Sequence, residues 1–490
     1  MQGMMEVENG YVAVVKADCP TCRLVVPVLA QLAASGAALV VYVQDEAGFL
    51  EPVAGNDGIT MVDDSSLEGS FGLNIEIVPA LIKVEAGAER DRVVGWQREA
   101  WEAMTGVEGL GPGLPAWRPG CGSRSAEPHI RDALAVRLGT AGMASRVISV
   151  SDEEDVIEAC FERGWSDGLP LVPPTKLRVY RMLQGTQREP EAIVGHMPHN
   201  DAPVSVEKVA INAVMAGCKP EYLPVVLAAV AAACEPAYGL RAFMASTWFS
   251  APVIVVNGPV ARQIGMASGF SALGSGNRAN ATIGRALNLL IRNVGEVRPG
   301  EVARSTMGSP GRYSFCFAEN EVATSWLSLA AERGVAAGKS AVTLLTGDGL
   351  QPIGDERSRT PKSLAISLAA GLRAVYHHKW FLEGDVILAV SPEHSRVFEQ
   401  AGWSKARLRA ELEARLQMET AAMVKGVDGC AEGIAPEVAA RRPLVPKFQP
   451  GGIHIVRVGS QAGLYSAVIS CWPMGGELGT QPVTRLVEEE

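Results

Sequence analysis

Residues 11–36 read YVAVVKADCPTCRLVVPVLAQLAASG, and they decide the fold of the amino-terminal part of the chain. The apolar run at 11–17 predicts a β-strand, and the helical spacing of apolar residues over 22–35 predicts a helix. Residues 37–43, AALVVYV, predict a second strand. The stretch therefore indicates a βαβ unit with two thiols at the carboxyl end of its first strand.

The two thiols are Cys19 and Cys22, three positions apart in CPTC. At the amino end of a helix, the dipole and the free backbone N–H groups favour a thiolate on Cys19. Cys22 follows by nearly one turn, close enough to form a disulfide with it. We expect an exposed Cys19 to attack and Cys22 to resolve the mixed disulfide. Asp18 is expected to oppose ionisation of Cys19.

The order strand, CPTC, helix, followed by IVPAL at residues 77–81, resembles the thioredoxin family over about residues 9–106. The resemblance implies a thioredoxin-like fold in which Pro79 is a cis-proline beside the CxxC and helps to hold partner backbone. Val78 would then also border the site. The aromatic residue common before the first cysteine of that family is absent here.

Two other interpretations of CPTC stay open. Half of a zinc site would need two more ligands, and the nearest, Cys121 and His129, are about a hundred residues away without paired spacing. A degenerate thioredoxin-like scaffold without redox activity is the other.

The composition limits the function classes. Of 490 residues, 47% are hydrophobic and 20% charged, which is typical of a globular chain with large cores. A net charge of -10 argues against nucleic acid or an anionic membrane surface as the main partner. No apolar segment reaches 18 residues, and the first ten residues do not resemble a signal peptide. Nine mostly isolated cysteines favour a reducing, cytoplasmic location.

The chain divides by composition into three parts. Residues 1–106 form the thioredoxin-like domain, in which a polar, acidic region follows the second strand. Residues 107–145 are dense in Gly, Pro and Ser and indicate a linker or a strapped surface segment; they carry a lone thiol, Cys121. Residues 146–490 form a larger α/β domain in which helices cover apolar strands.

Continuous apolar strands in the large domain predict burial on both faces by helices. The predicted strands are 251–258, 340–347, 385–391 and 453–459, and the predicted helices are 152–163, 205–217, 221–234, 280–293, 361–375 and 404–418.

Polar side chains in loops and at strand ends of this domain indicate a binding site for a small anionic substrate. The candidate substrate-binding residues are Asp167, Asn257, Arg278, Asn280 and Arg312. The Gly-rich loop before the helix at 280 suits a phosphate or carboxylate, although a Gly-rich turn with a well-capped helix explains the same pattern.

A second group, His196, His199 and Asp201, lies in the Pro-flanked loop GHMPHNDAP. Its spacing allows an acid–base pair, with His199 and Asp201 as catalytic candidates, or metal ligands, or surface histidines that cap the following helix. We expect no bound metal or other cofactor.

Two further thiols are candidate electron acceptors. Cys218 is followed by Lys219, which would favour a thiolate. Cys316 lies in SFCFAENE and is either a packing thiol or a strand-borne nucleophile. Cys121 is a candidate relay.

Phrases including GWSDGLPLVPPT and YSFCFAENE resemble, over about 150–460, an uncharacterised bacterial family associated with UGSC-type thiol or selenol proteins. The resemblance implies an enzyme-like, redox-associated domain and a UGSC-type protein as a partner. No UGSC sequence occurs in this chain.

Together these features predict an enzyme in which a thiol–disulfide oxidoreductase module passes electrons to a fused domain that binds and reduces a small polar or anionic substrate. The reductant would be a thioredoxin reductase-type protein or a low-molecular-weight thiol, and Ala-Val-rich helices leave a homodimer open. Two alternatives remain: a hydrolase or lyase that uses the His/Asp loop, and a non-enzymatic thiol-disulfide adaptor.

Overall fold

The computed structural model describes residues 7–151, 153–381, 384–474 and 479–488. Residues 1–6, which carry most of the signal-peptide expectation, and residue 152, where the predicted helix 152–163 begins, lie outside the described residues, as do 382–383, 475–478 and 489–490. The chain has mixed α/β content and divides into two compact units, Met1–Gly142 and Met143–Glu490. We expected residues 107–145 to be a linker or a strapped surface segment. Residues 107–142 belong to the first unit, and apolar side chains of this segment pack on its core.

The first unit is built on one five-stranded sheet. The strands of the unit are β1 (Gly10–Val15), β2 (Leu39–Val43), β3 (Ile59–Asp63), β4 (Ile77–Val78), β5 (Ala80–Glu85), β6 (Ala88–Val94), β7 (Trp96–Gln97), β8 (Trp117–Arg118) and β9 (Cys121–Gly122); β4 pairs with β9 and β7 with β8 outside the main sheet. Its helices are α1 (Pro20–Ala34), α2 (Glu68–Gly72), α3 (Arg98–Thr105) and α4 (Pro128–Arg137). The sheet order is β3-β2-β1-β5-β6, in which the first three strands are parallel and β5 and β6 form an antiparallel hairpin.

The predicted βαβ unit and hairpin are confirmed. The hairpin turns at Ala86 and Gly87, which both have positive φ, as the right-handed twist of paired strands requires. Strand β3 lies within the region that we described only as polar and acidic. Its burial is partial because it is an edge strand, so its apolar pattern was weak.

The second unit contains twelve helices and twelve strands in the described part of the chain. Its helices are α5 (Val156–Glu162), α6 (Lys176–Leu183), α7 (Val206–Ala216), α8 (Leu223–Cys234), α9 (Leu240–Ala245), α10 (Pro259–Gln263), α11 (Arg278–Asn293), α12 (Leu329–Glu332), α13 (Pro361–Arg373), α14 (Pro392–Gln400), α15 (Lys405–Arg415) and α16 (Pro436–Arg441). Its strands are β10 (Ile193–His196), β11 (Pro203–Ser205), β12 (Ala251–Asn257), β13 (Cys316–Ala318), β14 (Ala341–Gly347), β15 (Leu350–Gly354), β16 (Val386–Val390), β17 (Gln417–Glu419), β18 (Leu444–Pro446), β19 (Ile453–Arg457), β20 (Tyr465–Ser470) and β21 (Val483–Leu486).

Two mixed four-stranded sheets, β13-β12-β14-β21 and β15-β20-β16-β19, stack face to face in this unit. Alternate residues of β12 show the layering: Ile254 and Val256 pack with α7, α8 and α11, whereas Val253 and Val255 pack with the second sheet. The far face of the second sheet packs on α13, α14 and α15. The expectation of helices on both faces of these strands is therefore wrong. A continuous apolar run shows that both faces are buried but not what covers them.

A buried carboxylate joins the two sheets. Glu319, just after β13, accepts a contact from Lys405 Nζ at 2.6 Å, and both side chains are 2% exposed. Its oxygens also accept hydrogen bonds from Asn257 Nδ2 of β12 and from the backbone N–H groups of Leu329 and Arg457. With these partners the buried charge is compensated.

We expect Lys405→Met to destabilise the second unit by about 3–5 kcal/mol, because it leaves the Glu319 carboxylate buried without its cation. Urea unfolding of the full chain measures this. Lys362→Met, at an exposed lysine, is the matched control and should change stability by less than about 0.5 kcal/mol. Equal stability of both variants would contradict the role given to the ion pair.

Candidate active site and anion cleft

Cys19 is the N-cap residue of α1, with extended backbone angles (φ -94°, ψ 115°) and Pro20 at the first helical position. Its Sγ accepts a hydrogen bond from the backbone N–H of Cys22 at 3.4 Å. The pKa of Cys19 is lowered to about 5, mainly by the hydrogen bond from the Cys22 side chain, with burial opposing and Cys121 assisting. Cys19 is therefore a thiolate at neutral pH. Asp18 is exposed and pairs with Lys16, and its charge raises the pKa of Cys121.

Cys22 has the opposite character. It is fully buried one turn into α1, and burial together with its hydrogen bond to Cys19 raises its pKa far above that of a free thiol. The two cysteines of the motif thus divide into a thiolate and a thiol that keeps its proton. This division suits an attacking residue and a resolving residue.

The loop before β5 lies against the thiolate, as the sequence resemblance implied. The Val78–Pro79 peptide bond is cis, and the Val78 carbonyl oxygen is 3.7 Å from Cys19 Sγ. Pro79 and the CPTC motif are therefore neighbours, although they are about sixty residues apart in the chain.

A third thiol completes the site. Cys121 lies in β9, which pairs antiparallel with β4 so that Cys121 is opposite Val78. Its Sγ is 2.8 Å from Cys19 Sγ, longer than the roughly 2.05 Å of a disulfide bond. All the cysteines are free. Because Cys19 is the thiolate, the S–H of Cys121 is the donor, and burial together with this contact raises the pKa of Cys121.

Residues 117–125, which we call the covering segment, are fixed to the first unit by main-chain and side-chain contacts. Thr21 Oγ1 donates to the Pro119 carbonyl at 2.7 Å. Gln44 Nε2 donates to Ser123 Oγ at 2.7 Å inside the protein. At Gly120 a Cβ atom would lie 2.6 Å from the Val78 carbonyl oxygen, so glycine allows the close approach.

The covering segment corrects one expectation. Cys19 was expected to be exposed, yet its exposed fraction is 0%, whereas Cys121 is partly exposed. The sequence showed Cys121 only as a lone thiol among glycines and prolines. The β4–β9 pairing that brings it to Cys19 is a contact across about forty residues, which no local pattern reveals.

The other candidate thiols are buried in the second unit. Burial raises the pKa of Cys218 to about 12, and Lys219, which pairs with Glu221, does not offset it. Burial raises the pKa of Cys316 further. Both thiols keep their protons at neutral pH, so the thiolate expected at Cys218 beside Lys219 does not form.

A cleft of about 440 Å³ in the second unit brings together two of the predicted substrate-binding residues, Asp167 and Arg312, with Arg292. Asp167 is bound by Arg285 through two contacts of 2.8 Å. Arg312 donates from Nε to the Ser250 carbonyl, and its Nη2 is buried without a partner. Burial lowers the pKa values of Arg292 and Arg312, so the charge in this cleft is poorly solvated.

The other three predicted binding residues do not line this cleft. Asn257 donates to Glu319 and Glu321, and Asn280 is 2% exposed and bonds to the backbone of Ala267. Arg278 Nε donates to the Gly217 carbonyl. Their polar atoms hold loops and helix ends in place.

The histidine loop forms the turn between β10 and β11. His199 Nδ1 is buried without a hydrogen-bond partner, and Asp201 is exposed with positive φ. These residues and His196 do not form a ligand group that satisfies metal-binding distances, within the described residues.

One group in the described chain does have ligand-like spacing: His377, His378 and Cys430. His377 Nε2 is 3.7 Å from Cys430 Sγ, but His377 Nδ1 accepts the backbone N–H of Lys379. Metal-binding histidines instead donate from their other ring nitrogen. The buried Lys379 ammonium also donates to the backbone carbonyl oxygen of Cys430 at 3.5 Å. These neighbours oppose a cation.

No protein-family model, curated protein or solved structure matches this chain. No single helix in the described residues has the length and apolar character to cross a membrane. The helices Pro220–Cys234 and Pro236–Ala245, which are bent by 76° relative to each other, reach that length and apolar character only when they are counted together.

We expect the thiolate absorbance of the reduced protein to titrate with a midpoint near pH 5. Cys22→Ala should move the midpoint upward, because it removes the largest stabilising hydrogen bond, and Cys19→Ser should abolish the step. Since the pKa of Cys19 is lower in the folded state, the reduced protein should gain stability between about pH 5 and pH 8.5 and lose it on acidification. A wild-type midpoint near that of a free thiol would contradict the assignment.

Proposed function

We propose that the first unit is a thioredoxin-like thiol–disulfide oxidoreductase, in which Cys19 is the attacking thiolate and Cys22 the resolving thiol. The observation that carries the proposal is the lowered pKa of Cys19 at the N-cap of α1, beside the buried thiol of Cys22. The strand–CPTC–helix order and the cis Val78–Pro79 bond next to the thiolate support it.

The exchange reaction needs no further cofactor. A thiolate attacks one sulfur of a substrate disulfide, forms a mixed disulfide and releases the other sulfur as a thiol. Cys22 then attacks the sulfur of Cys19, so that a Cys19–Cys22 disulfide forms and the reduced substrate leaves. A dithiol reductant reverses the oxidation of the pair and completes the cycle.

We expect the full chain to catalyse reduction of oxidised glutathione by dithiothreitol. Cys19→Ser should lower the catalysed rate at least 100-fold, because it removes the nucleophile, and oxidised wild-type protein should contain a Cys19–Cys22 disulfide on peptide mapping. Cys234→Ser, a partly buried thiol of the second unit, is the matched control. The proposal fails if Cys19→Ser retains the wild-type rate.

We also propose that the second unit binds a small anionic molecule in the cleft of Arg292 and Arg312, and that the fused thiol module reduces this molecule. The partnerless Nη2 of Arg312 supports the binding step, since a buried N–H of a cation needs an acceptor. Among the described lining residues the one carboxylate, Asp167, is already paired with Arg285. Covalent fusion raises the effective concentration of one module for the other.

The anion prediction is tested by calorimetry with inorganic phosphate and with succinate. Arg312→Gln should weaken binding about 10- to 100-fold, the loss of one charge-assisted hydrogen bond. Arg262→Gln, at an exposed arginine outside the cleft, should leave the affinity unchanged. Binding of neither anion to the wild-type protein, or equal affinities in the two variants, would exclude this cleft as the anion site.

A further inference from the structure

The covering segment occupies the main-chain edge beside the reactive thiolate. β9 pairs with β4 through the register Ile77↔Gly122 and Val78↔Cys121, and the Ser123 N–H donates to the Glu76 carbonyl at 2.8 Å. An extended peptide recognised next to Pro79 would use these same backbone groups. They are already paired within the chain, so this edge is not free for a partner protein.

Exposure distinguishes the three thiols. Cys19 and Cys22 are both 0% exposed, and Cys121 lies over Cys19 with part of its surface in solvent. A dissolved disulfide therefore meets the sulfur of Cys121 before it meets the sulfur of Cys19. The 2.8 Å separation between Cys19 Sγ and Cys121 Sγ then allows exchange between these two residues without rearrangement of the backbone.

We propose that Cys121 is a third redox cysteine, through which low-molecular-weight disulfides exchange with the buried Cys19–Cys22 pair. This inference rests on the proposed oxidoreductase function and adds both the residue that meets the substrate and the substrate class. In this scheme Cys121, held by the β4–β9 pairing, takes the place beside Cys19 that a cysteine of a partner protein would take.

The steps balance for a small disulfide RSSR. The proton of Cys121 passes to the Cys19 thiolate along their 2.8 Å contact, and the Cys121 thiolate attacks RSSR and forms Cys121–S–S–R. The departing RS⁻ takes that proton from Cys19 and leaves as RSH, which restores the Cys19 thiolate. The Cys19 thiolate attacks the Cys121 sulfur, which forms a Cys19–Cys121 disulfide and releases RS⁻. Cys22 then attacks Cys19, which forms the Cys19–Cys22 disulfide, and the proton of Cys22 passes to the departing Cys121. RSSR gains two electrons, and the Cys19–Cys22 pair loses them.

The test uses the full reduced chain and oxidised glutathione, with formation of the Cys19–Cys22 disulfide followed by acid quench and peptide mapping. Cys121→Ser keeps the main-chain pairing of β9 and should slow this oxidation at least tenfold. Cys234→Ser, the matched control, should oxidise at the wild-type rate. An equal or faster rate in Cys121→Ser would overturn the proposal, since a segment that merely covers Cys19 predicts that outcome.

A second variant traps the intermediate. In Cys22→Ser, oxidised glutathione should produce a Cys19–Cys121 disulfide and release both glutathione molecules. A stable glutathione adduct on Cys19 with Cys121 reduced would contradict the proposed order. Adding Gly120→Ala, whose Cβ would meet the Val78 carbonyl oxygen, should reduce the yield of the trapped disulfide severalfold; an unchanged yield would show that the β4–β9 pairing does not position Cys121.

Different results would exclude the oxidoreductase function and the role of Cys121. If Cys19→Ser abolishes turnover but Cys121→Ser does not slow oxidation, the oxidoreductase function stands and the role of Cys121 is lost. If Cys19→Ser retains turnover, both are lost.

Discussion

The main-chain pairing of β9 with β4 is the constraint on which the candidate redox site depends. It places Cys121 opposite Val78 and against the thiolate of Cys19. Without this pairing, Cys19 would be an exposed N-cap thiolate. With it, the thiolate is buried beneath a segment of its own chain, and the one thiol of the three that meets solvent, Cys121, keeps its proton. Cys121 is therefore the thiol that solvent reaches, whereas Cys19 is the thiol that is ionised.

The cysteines illustrate how environment outweighs residue type. Burial alone raises the pKa of a thiol, as at Cys218 and Cys316. At Cys19 the same burial is outweighed by hydrogen bonds from Cys22 and Cys121 and by the free N–H groups at the start of α1. A neighbouring lysine at Cys218 has no comparable effect, because its ammonium is directed to Glu221. Directed hydrogen bonds, not proximity in the chain, determine which thiol is ionised.

In the second unit too, the hydrogen-bond partners of a buried charged group indicate its role. Glu319 is satisfied by Lys405 and by donors from both sheets, so it is a structural tie. Arg312 lies in a cleft with one donor unsatisfied, and its carboxylate neighbour Asp167 is taken by Arg285. A buried charge with all partners inside the protein supports packing, whereas a buried cation with an open donor supports a ligand site.

The sequence by itself determined the local features: the strand–CPTC–helix junction, the hairpin with its turn at Ala86 and Gly87, and the main helices and apolar strands of the second unit. These depend on periodicity, turn chemistry and capping, which act over a few residues. The tertiary structure alone decided that Cys121 covers Cys19, that a second sheet replaces one of the expected helix layers, and that Asp167 and Arg312 share a cleft while Asn257, Arg278 and Asn280 serve other contacts. Each of these features depends on contacts between residues that are far apart in the chain. The residues next to a given position in the sequence do not determine which distant surface it contacts.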